Sequence, residues 1–359
     1  MNKEKSILIV TGGTGGHVFP GLVLAQAFQQ SGYQVTWLGT EKGIEAKLVP
    51  QAEIPLDFLQ VTGLRGKGYA SLVYAPWRLL RALWQAHRVI KKRRPDLVIG
   101  LGGFVSGPGG LAAFLHGIPL VLHEQNAVAG ITNRFLAHFA RLVFSSFPHA
   151  FKSDKILVTG NPVRKAILDL PAPALRFQAR TDPIRILILG GSQGAIRLNE
   201  LLPEALQLVQ VPLSIWHQTG EATFLTTTQA YQASSLDYRV ERFIDNMAEA
   251  YGWADLVICR AGATTIAELI AAGLGAILIP YPNATDDHQT ANALYLVQGE
   301  AGILMPQASL TVALLVEKMN TMAQRDACLR LSLAARALYQ GDAAAQIVEN
   351  CEDILNEKP

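Results

Sequence analysis

Cysteine is scarce in this sequence. The 359 residues contain three cysteines, Cys259, Cys328 and Cys351, which are widely separated and never form a CxxC pair. An odd number of scattered cysteines argues against a disulfide framework, and the missing CxxC spacing argues against a zinc site. We expect all three to be buried as small apolar side chains.

Long apolar runs are also missing. The longest ones, such as "LAAFL" from Leu111 and "LGAILIPY" from Leu274, are interrupted by histidine, glycine or proline, well short of the ~18 apolar residues that a membrane-spanning helix needs. The N-terminal "MNKEK" is followed only by the short run "SILIV", which does not provide the apolar core of a secretory signal. We therefore expect a cytoplasmic protein without a membrane span.

Several cofactor motifs are absent. No GxxxxGK[ST] sequence occurs, which argues against a P-loop nucleotidase. Val18 breaks the GxGxxG pattern of the first glycine-rich loop, and Thr40 follows the next strand where a ribose-binding acid is expected, so a nicotinamide-dependent dehydrogenase is a weaker hypothesis. No Asp-x-Asp pair is available for a metal, and the adjacent Asp286 and Asp287 fit a turn. We expect neither a cofactor nor a metal.

Acidic residues are absent between Asp57 and Asp96, although the net charge of the chain is only +2. Residues 71–96 predict an amphipathic helix, which we call the basic helix. Its tryptophans and principal cations are Trp77, Arg78, Arg81, Trp84, Arg88, Lys91 and Lys92. Such a helix suits an anionic lipid surface, but an ordinary helix with one apolar core face has the same pattern. No RNA- or DNA-binding motif accompanies the charge, so no nucleic-acid partner is expected.

Short apolar runs alternate with amphipathic stretches along the chain. Half of the residues are hydrophobic and 17% are charged, as in soluble globular enzymes. Continuous hydrophobicity within the runs predicts parallel strands that are buried on both faces. The strand candidates are residues 6–10, 34–38, 97–101, 119–122, 156–159, 185–189, 213–216, 238–241, 256–259 and 276–279.

The two halves of the chain begin alike. "SILIVTGGTGGHVFPG" near the start is matched by "IRILILGGSQGAIRLNE" at 184–200, and each reads as a strand, a glycine turn and a helix. This predicts an α/β protein with two Rossmann-like, doubly wound parallel-sheet domains, residues 1–163 and 164–340. The last helix, 341–359, is expected to pack back on the first domain, and "GNPVR" at 160–164 is the expected hinge.

Three glycine-rich loops follow strands, at residues 12–16, 100–110 and 190–195. Bare backbone N–H groups at a helix N-terminus form an anion site, because no Cβ holds a phosphate away. Tight packing of a strand against a helix is the alternative for any single loop. Three such loops in one chain favour a phosphorylated ligand.

A fourth candidate site is "ICRAGATTIAELIAAG" at 258–273, which predicts a strand ending at Cys259 and a helix from near Thr264 to Gly273. Glu268 has two interpretations here. The spacing from Thr265 fits a capping box, in which Glu268 would only cap the helix. Alternatively, its carboxylate accepts both hydroxyls of a ribose.

Seven motifs occur in one order: "GGTGGHVFPGL", "GGFVSGP", "HEQNAVAGITNR", "GNPVR", "GGSQGA", "CRAGATTIAEL" and "HQTANA". In them the chain resembles, over nearly its whole length, the lipid II-forming transferases of glycosyltransferase family 28. The resemblance implies a GT-B fold, with two Rossmann-like domains facing a cleft. It implies inverting transfer of N-acetylglucosamine from UDP-N-acetylglucosamine to the muramoyl 4-hydroxyl of undecaprenyl-linked lipid I. There are two alternatives. The protein could transfer a sugar to another lipid such as diacylglycerol, or it could be a nucleotide-sugar sensor without catalytic activity.

The resemblance also implies a donor site, mainly on the C-terminal domain. The positions that match the family's donor contacts are Arg164, Ser192, Ile244, Ala263, Thr264, Thr265, Ile266, Ala267, Glu268 and Gln289, with Thr14, Gly15, Gly16 and Asn126 on the N-terminal side. Ile244 can offer backbone groups to uracil, and Ser192 with the helix N-terminus can hold the diphosphate. Amides such as Gln289 and Asn126 can read sugar hydroxyls, and Arg164 can stabilise negative charge.

The acceptor side carries the predicted base. An imidazole titrates near neutrality, so His17 can take the proton of the attacking hydroxyl, with Glu124 as the rival base. His17 could instead orient its loop or bind the acceptor diphosphate, for which Gly13 leaves room. The expected partners are UDP-N-acetylglucosamine, lipid I, the anionic cytoplasmic face of the inner membrane, and proteins of cell-wall synthesis or division.

Overall fold

The computed structural model describes residues 5–61, 75–151, 155–191 and 193–357. Ser192, Arg65, Lys67 and the first predicted residues of the basic helix, 71–74, lie outside the described residues. The chain divides into two compact units. The N-terminal unit comprises Met1–Val163 and Gln340–Pro359, and the C-terminal unit comprises Arg164–Tyr339.

The sheet of the N-terminal unit contains seven parallel strands. They are β1 (Ser6–Val10), β2 (Gln34–Gly39), β3 (Leu56–Phe58), β4 (Leu97–Gly100), β5 (Leu120–Glu124), β6 (Leu142–Ser145) and β7 (Ile156–Val158). Their order is β3-β2-β1-β4-β5-β6-β7, so β1 pairs with both β2 and β4. The strand order therefore reverses between β1 and β4.

Five described helices connect these strands. They are α1 (Gly15–Gln30), α2 (Glu45–Gln51), α3 (Ala75–Arg93), α4 (Gly103–Leu115) and α5 (Ile131–Leu136). Both faces of the sheet are buried, because alternate residues of β1 enter different cores. Ile7 and Ile9 pack with Leu24 and Phe28 of α1, whereas Leu8 lies in the core that contains Ile90 of α3.

The sheet of the C-terminal unit contains six parallel strands. They are β8 (Ile184–Leu189), β9 (Leu213–Gln218), β10 (Asp237–Glu241), β11 (Leu256–Cys259), β12 (Gly275–Leu278) and β13 (Gly302–Leu304). Their order is β10-β9-β8-β11-β12-β13, and β8 pairs with both β9 and β11. The strand order reverses between β8 and β11, as it does between β1 and β4.

Nine described α-helices belong to this unit. They are α6 (Lys165–Leu168), α7 (Pro173–Gln178), α8 (Ile196–Gln207), α9 (Phe224–Gln232), α10 (Met247–Trp253), α11 (Ala263–Ala272), α12 (His288–Gln298), α13 (Val312–Met322) and α14 (Arg325–Ala337). Leu198 and Leu202 of α8 pack with Leu315 and Met319 of α13 in one large core. Burial of such apolar side chains is the main favourable contribution to folding.

The last helix, α15 (Ala343–Asn356), returns to the N-terminal unit. The side chain of Asp342 caps it by accepting hydrogen bonds from the backbone N–H groups of its first turn. Ile347 and Cys351 enter the core beside α1, and the ammonium of Lys5 donates to the carbonyl of Leu355 at 2.8 Å. The helix thus closes one face of the first sheet.

The predicted α/β class with two doubly wound parallel sheets is confirmed by this topology. The sequence did not identify β3, β6 and β13, which have three or four residues each. No helix among the described residues is both long enough and apolar enough to span a bilayer. All three cysteines are buried and unbridged, as expected.

Candidate functional site

Loops at the carboxyl edge of the second sheet bring together most of the predicted donor-binding residues. Residues 190–195 follow β8 and residues 260–262 follow β11, so these loops flank the reversal of strand order. Ligands of open α/β sheets bind at this position. Gly194 has a φ of +78° and lies so close to the carbonyl of Thr219 that a side chain would collide with it. Here glycine is required by both conformation and space.

Glu268 lies on α11 with only 6% of its surface exposed. Its Oε1 accepts from Nη2 of Arg164 at 2.8 Å, and its Oε2 accepts from the hydroxyl of Tyr251 at 2.9 Å. Burial and the negative charge of Glu268 raise the pKa of Tyr251. Tyr251 therefore remains a hydrogen-bond donor near neutral pH.

The capping-box interpretation of Glu268 is wrong. The helix begins at Ala263, with Gly262 as an N-cap that makes no side-chain cap bond. Thr265 is therefore already inside the helix, and the carboxylate of Glu268 is turned toward Arg164 and Tyr251. It is a buried, anchored carboxylate beside the first turn of α11.

The first five residues of α11 are the predicted Ala263, Thr264, Thr265, Ile266 and Ala267. The first four N–H groups of a helix have no partner within the helix and attract anions. The hydroxyl oxygen of Thr264 is buried, and no described group forms a hydrogen bond with it. Leaving such a group unpaired costs about 1–3 kcal/mol, which a ligand that pairs it would recover.

Two amide side chains hold the loops around this helix. Gln218, at the end of β9, donates from Nε2 to the carbonyl of Gly191 at 3.0 Å. Its Oε1 accepts from the backbone N–H of Ile244 at 3.0 Å. The Oε1 of Gln289, at the start of α12, accepts from the backbone N–H of Tyr281 at 2.8 Å. Gln289 is thereby held at the loop that follows β12.

The first glycine-rich loop, in the N-terminal unit, surrounds a carboxylate. Glu45 of α2 is fully buried, and side chains on Gly12, Gly39 or Gly43 would collide with it. Its Oε2 accepts from the N–H of Gly13 at 3.0 Å. The N–H and hydroxyl of Thr40 donate to its Oε1 at 2.8 and 2.7 Å. These glycines thus make room for Glu45, and the N–H of Gly13 is already occupied by an internal anion.

His17 lies in the first turn of α1, whose N-cap is Thr14 and whose first two residues are Gly15 and Gly16. Its imidazole packs against Gly102, where the φ of +93° suits glycine and an added Cβ would lie 3.0 Å from Nε2 of His17. Burial, with a smaller contribution from the charge of His17, lowers the pKa of the nearby His123 to about 4. His123 is thus a neutral neighbour of His17 at physiological pH.

Glu124, the rival base, ends β5 and is almost fully buried. Its Oε1 accepts from the N–H and the Nδ2 of Asn126 at 3.1 and 3.3 Å. Its Oε2 accepts from the N–H of Gly130 at 3.1 Å and from Nδ2 of Asn133 at 2.9 Å. Burial raises the pKa of Glu124, and these four bonds oppose the shift. A carboxylate has about four acceptor sites, so Glu124 is saturated by its own loop.

The basic helix corresponds to α3 and leaves much of its apolar side facing solvent. Trp77 and Trp84 are 72% and 58% exposed, and Leu79 and Leu80 are exposed as well. Beside them, an open groove of about 290 Å³ lies between α3 and α4. Its lining residues are Leu80, Leu83, Trp84, His87, Ala112, Leu115 and His116.

The same helix carries exposed cations. Arg78, Arg81, Arg88 and Lys91 are exposed, and the guanidinium of Arg88 lies 4.9 Å from the ring centroid of Trp84. Lys92 differs from them because its ammonium pairs with Asp57 at 2.7 Å. An ordinary surface helix buries its apolar face, so these exposed tryptophans favour the lipid-surface interpretation.

Three residues of these sites were not predicted from the sequence. Tyr251 and Glu45 belong to no motif, and each has a partner from another element, Glu268 of α11 for Tyr251 and Gly13 for Glu45. Gln218 offered a signal, because a polar side chain at the carboxyl end of a buried strand points to the ligand-binding edge of the sheet.

Comparison with known proteins places the chain in a family. The glycosyltransferase family 28 N-terminal domain matches residues 7–145, and the family's C-terminal domain matches residues 185–348. Proteins from Pseudomonas paraeruginosa and Aeromonas hydrophila are 52% and 47% identical over 97% of this chain, covering 98% and 97% of their own lengths. Both are named UDP-N-acetylglucosamine--N-acetylmuramyl-(pentapeptide) pyrophosphoryl-undecaprenol N-acetylglucosamine transferase.

A solved structure agrees with these relatives. The crystal structure of Acinetobacter baumannii MurG is 40% identical and superposes with a TM-score of 0.86, covering 97% of this chain and 99% of that one. The resemblance inferred from the seven motifs and the GT-B class of the fold are confirmed. The chain belongs to glycosyltransferase family 28.

Proposed function

We propose that this protein transfers N-acetylglucosamine from UDP-N-acetylglucosamine to the muramoyl 4-hydroxyl of undecaprenyl-linked lipid I, forming lipid II with inversion of the anomeric centre. The observation that carries the proposal is the buried carboxylate of Glu268, anchored by Arg164 and Tyr251 beside the open first turn of α11. A ribose and a diphosphate need this combination, because hydroxyls donate to a carboxylate and phosphates accept from amides. The names of the relatives give the same donor and acceptor.

The donor is assigned to the C-terminal unit. Glu268 accepts from the ribose hydroxyls, and the N–H groups at Ala263 and Thr264 bind the diphosphate together with the hydroxyl of Thr264. Ile244 provides a backbone group for uracil, and Gln289 reads a sugar hydroxyl. Arg164 adds positive charge near the diphosphate. Ser192 keeps its predicted diphosphate role, although it lies outside the described residues.

The chemical step needs a base and a stabilised leaving group. His17 takes the proton from the 4-hydroxyl of the acceptor while that oxygen forms the new bond to the anomeric carbon. The bond from that carbon to the β-phosphate breaks, and its electron pair leaves with UDP. Preoriented N–H dipoles of α11 stabilise the charge that develops there. Glu124 holds the Asn126 loop instead of acting as base, because its acceptor sites are filled.

The N-terminal unit is assigned to the acceptor and to the membrane. Thr14, Gly15 and Gly16 form the open start of α1, which suits the transferred sugar or the acceptor diphosphate. The exposed tryptophans and cations of α3 would insert at the cytoplasmic leaflet of the inner membrane, where a lipid-linked acceptor is found. The protein is thus a peripheral enzyme in this proposal, and proteins of cell-wall synthesis or division remain candidate partners.

A transfer assay tests the function. The purified protein is incubated with radiolabelled UDP-N-acetylglucosamine, a short-chain lipid I analogue and EDTA, and labelled disaccharide-lipid is measured. We expect product with this acceptor and none with diacylglycerol. Donor binding without product would indicate a sensor, and product only with diacylglycerol would indicate the other transferase. Either result contradicts the proposal.

A further inference from the structure

Gln218 connects two segments that have different roles in the proposed donor site. Its side chain is 5% exposed and bridges the carbonyl of Gly191 and the N–H of Ile244, each at 3.0 Å. Gly191 belongs to the loop that contains Ser192, and Ile244 lies in the loop that follows β10. One amide therefore spans the diphosphate side and the base side of the site.

The position of Gln218 in the sheet explains how it reaches both loops. It is the last residue of β9, which lies between β8 and β10. The loop of Gly191 leaves β8, and the loop of Ile244 leaves β10. A side chain at the carboxyl end of the middle strand contacts the loops from both neighbours, and a primary amide supplies one donor and one acceptor for them.

The bridge also determines which backbone group of Ile244 is available. Its N–H is engaged by Gln218, while no described residue donates to its carbonyl. A carbonyl accepts from the N3–H of uracil, whereas cytosine presents an acceptor at that position. The orientation of the backbone at Ile244 therefore affects base recognition.

We infer that Gln218 is a positioning residue for the donor, which fixes the spacing and orientation of the base-binding and diphosphate-binding loops. The inference rests on the proposed function, because it takes these loops as contacts of UDP-N-acetylglucosamine. Gln218 does not act on the reacting atoms. Its loss should therefore weaken donor binding much more than it lowers kcat.

Two substitutions separate this role from simple packing. Gln218→Glu keeps an acceptor for Ile244, but its ionised carboxylate places an acceptor against the carbonyl of Gly191. A protonated glutamic acid again has one donor and one acceptor, as glutamine does. Burial raises a glutamate pKa by several units, so acid should restore the bridge. Gln218→Met has a similar shape, but it lacks both hydrogen bonds at every pH.

Calorimetric titration with UDP-N-acetylglucosamine at pH 8 and pH 6 is the test, with affinities expressed relative to wild type at each pH. We expect Gln218→Glu to bind about 10-fold or more weakly at pH 8, which corresponds to the loss of roughly one buried hydrogen bond. It should return to within about 3-fold of wild type at pH 6. Gln218→Met should stay weak at both pH values. Gln229→Glu makes the same change at an exposed position of α9. It is the matched control and should bind UDP-N-acetylglucosamine as the wild type does.

Three results overturn the inference: wild-type affinity of Gln218→Glu at pH 8, wild-type affinity of Gln218→Met, or failure of acid to restore Gln218→Glu. Thermal melting identifies a variant that has lost its fold, and recovery at pH 6 cannot come from an unfolded protein. The proposed function fails separately, because in that case the wild-type protein itself does not bind UDP-N-acetylglucosamine.

Discussion

Arg164 and Glu268, 104 positions apart in sequence, form an ion pair of 2.8 Å within the C-terminal unit. The pair is asymmetric, because the side chain of Arg164 is 38% exposed and that of Glu268 is 8% exposed. Tyr251 takes the second carboxylate oxygen from the buried side. Each oxygen keeps a further acceptor site, so Glu268 is fixed in place and still able to accept from two hydroxyls of a ribose.

Glu268→Gln should raise the KM for UDP-N-acetylglucosamine. The amide replaces one acceptor oxygen with a donor and removes the charge, which costs about 1.5–3 kcal/mol for a hydrogen bond to a charged group, or roughly 10- to 150-fold. Initial rates at varied donor concentration, with the lipid acceptor saturating, measure the change. Glu317→Gln, a change at an exposed position, is the control. An unchanged donor KM in Glu268→Gln would show that Glu268 does not contact the donor.

Tyr251→Phe should also raise the KM for UDP-N-acetylglucosamine, but by less than Glu268→Gln does. The substitution removes only the hydroxyl that orients Glu268, a loss of about 0.5–1.5 kcal/mol. The expected rise in donor KM is therefore roughly 2- to 10-fold. A larger effect than that of Glu268→Gln would mean that Tyr251 itself contacts the donor.

His17→Ala should lower kcat by about 10²- to 10⁴-fold if its imidazole is the general base. The donor KM should change little, because the proposed donor contacts lie mostly on the other unit. Single-turnover transfer at saturating substrates is the measurement. Retention of most of the wild-type kcat would leave His17 with only a structural role.

Glu124→Gln should behave differently from His17→Ala. The amide has one acceptor atom for four donors from Asn126, Gly130 and Asn133, so the loop should loosen. We expect a reduced melting temperature and a raised donor KM through Asn126, with a smaller change in kcat than for His17→Ala. A fall in kcat that equals that of His17→Ala, at unchanged stability, would identify Glu124 as the base.

The sequence predicted most of the strands from their apolar runs and missed β3, β6 and β13. Residues 6–10 and 256–259 were identified with correct bounds because they are continuous apolar runs that are buried on both faces. β3 and β13 have three residues each and are only partly buried, so neither has the fully buried apolar run that marks a central strand. Their pairing depends on neighbouring strands, which a local pattern does not report.

The candidate sites show the same limit. Glu268 was found because it lies in a motif after a strand, yet its two interpretations could be separated only by the positions of Arg164 and Tyr251. Glu45 had no local signal at all. Its role depends on three glycines that come together around it in the fold, so the first loop was interpreted as open to a phosphate.

Glu45→Gln should destabilise the first loop and weaken the binding of the acceptor, lipid I. Whichever way the amide turns, its NH₂ faces an N–H group of Gly13 or Thr40, so a buried donor is left unpaired at a cost of about 1–3 kcal/mol. Urea unfolding measures the loss, and acceptor titrations should show a raised KM for lipid I. Glu41→Gln, an exposed change in the segment between β2 and α2, should alter stability by less than about 0.5 kcal/mol. Equal stability of the two variants would contradict this role for Glu45.

Acid should destabilise the C-terminal unit through His217. Burial lowers the pKa of His217 to about 3, and its ring nitrogens lie 3.0 Å from the hydroxyl of Tyr231 and from Oδ1 of Asn199. Nδ2 of Asn199 donates to Thr219, so Oδ1 is the acceptor and Nε2 of His217 carries the proton. Nδ1 then accepts from Tyr231, and a second proton on the ring would remove this acceptor and place a positive charge in a buried site.

The sign follows from the lowered pKa. The unfolded chain protonates His217 below about pH 6.5 while the folded chain does not, so stability is present above that pH and is lost toward pH 3. At pH 5 the loss from this one group is about 2 kcal/mol. Urea unfolding at pH 7.5 and pH 5 should show a smaller difference for His217→Gln than for wild type. An identical pH dependence in both proteins would rule out His217 as the source.

Binding to anionic vesicles should depend on both the cations and the tryptophans of α3. Reversal of Arg78, Arg81 and Lys91 to glutamate should weaken binding about 100-fold or more, since each lost cation contributes about 1 kcal/mol near an anionic surface. Lys92 is left unchanged because its ammonium already pairs with Asp57. Trp77→Ala with Trp84→Ala should weaken binding to both anionic and neutral vesicles, because insertion of the rings does not depend on charge.

The matched control has the same net charge as the α3 variant, but its charge reversals lie outside α3. Lys42, Lys47 and Arg330 are exposed cations outside α3, and their triple reversal gives the same total charge as the α3 variant. Co-sedimentation with vesicles at low and high salt compares the two, and transfer to a water-soluble acceptor analogue checks that each enzyme remains active. If both triple variants lost vesicle binding equally, the attraction of the protein to anionic vesicles would come from its net charge alone. A selective loss in the α3 variant instead assigns the membrane contact to this helix, on which exposed cations lie near exposed tryptophans.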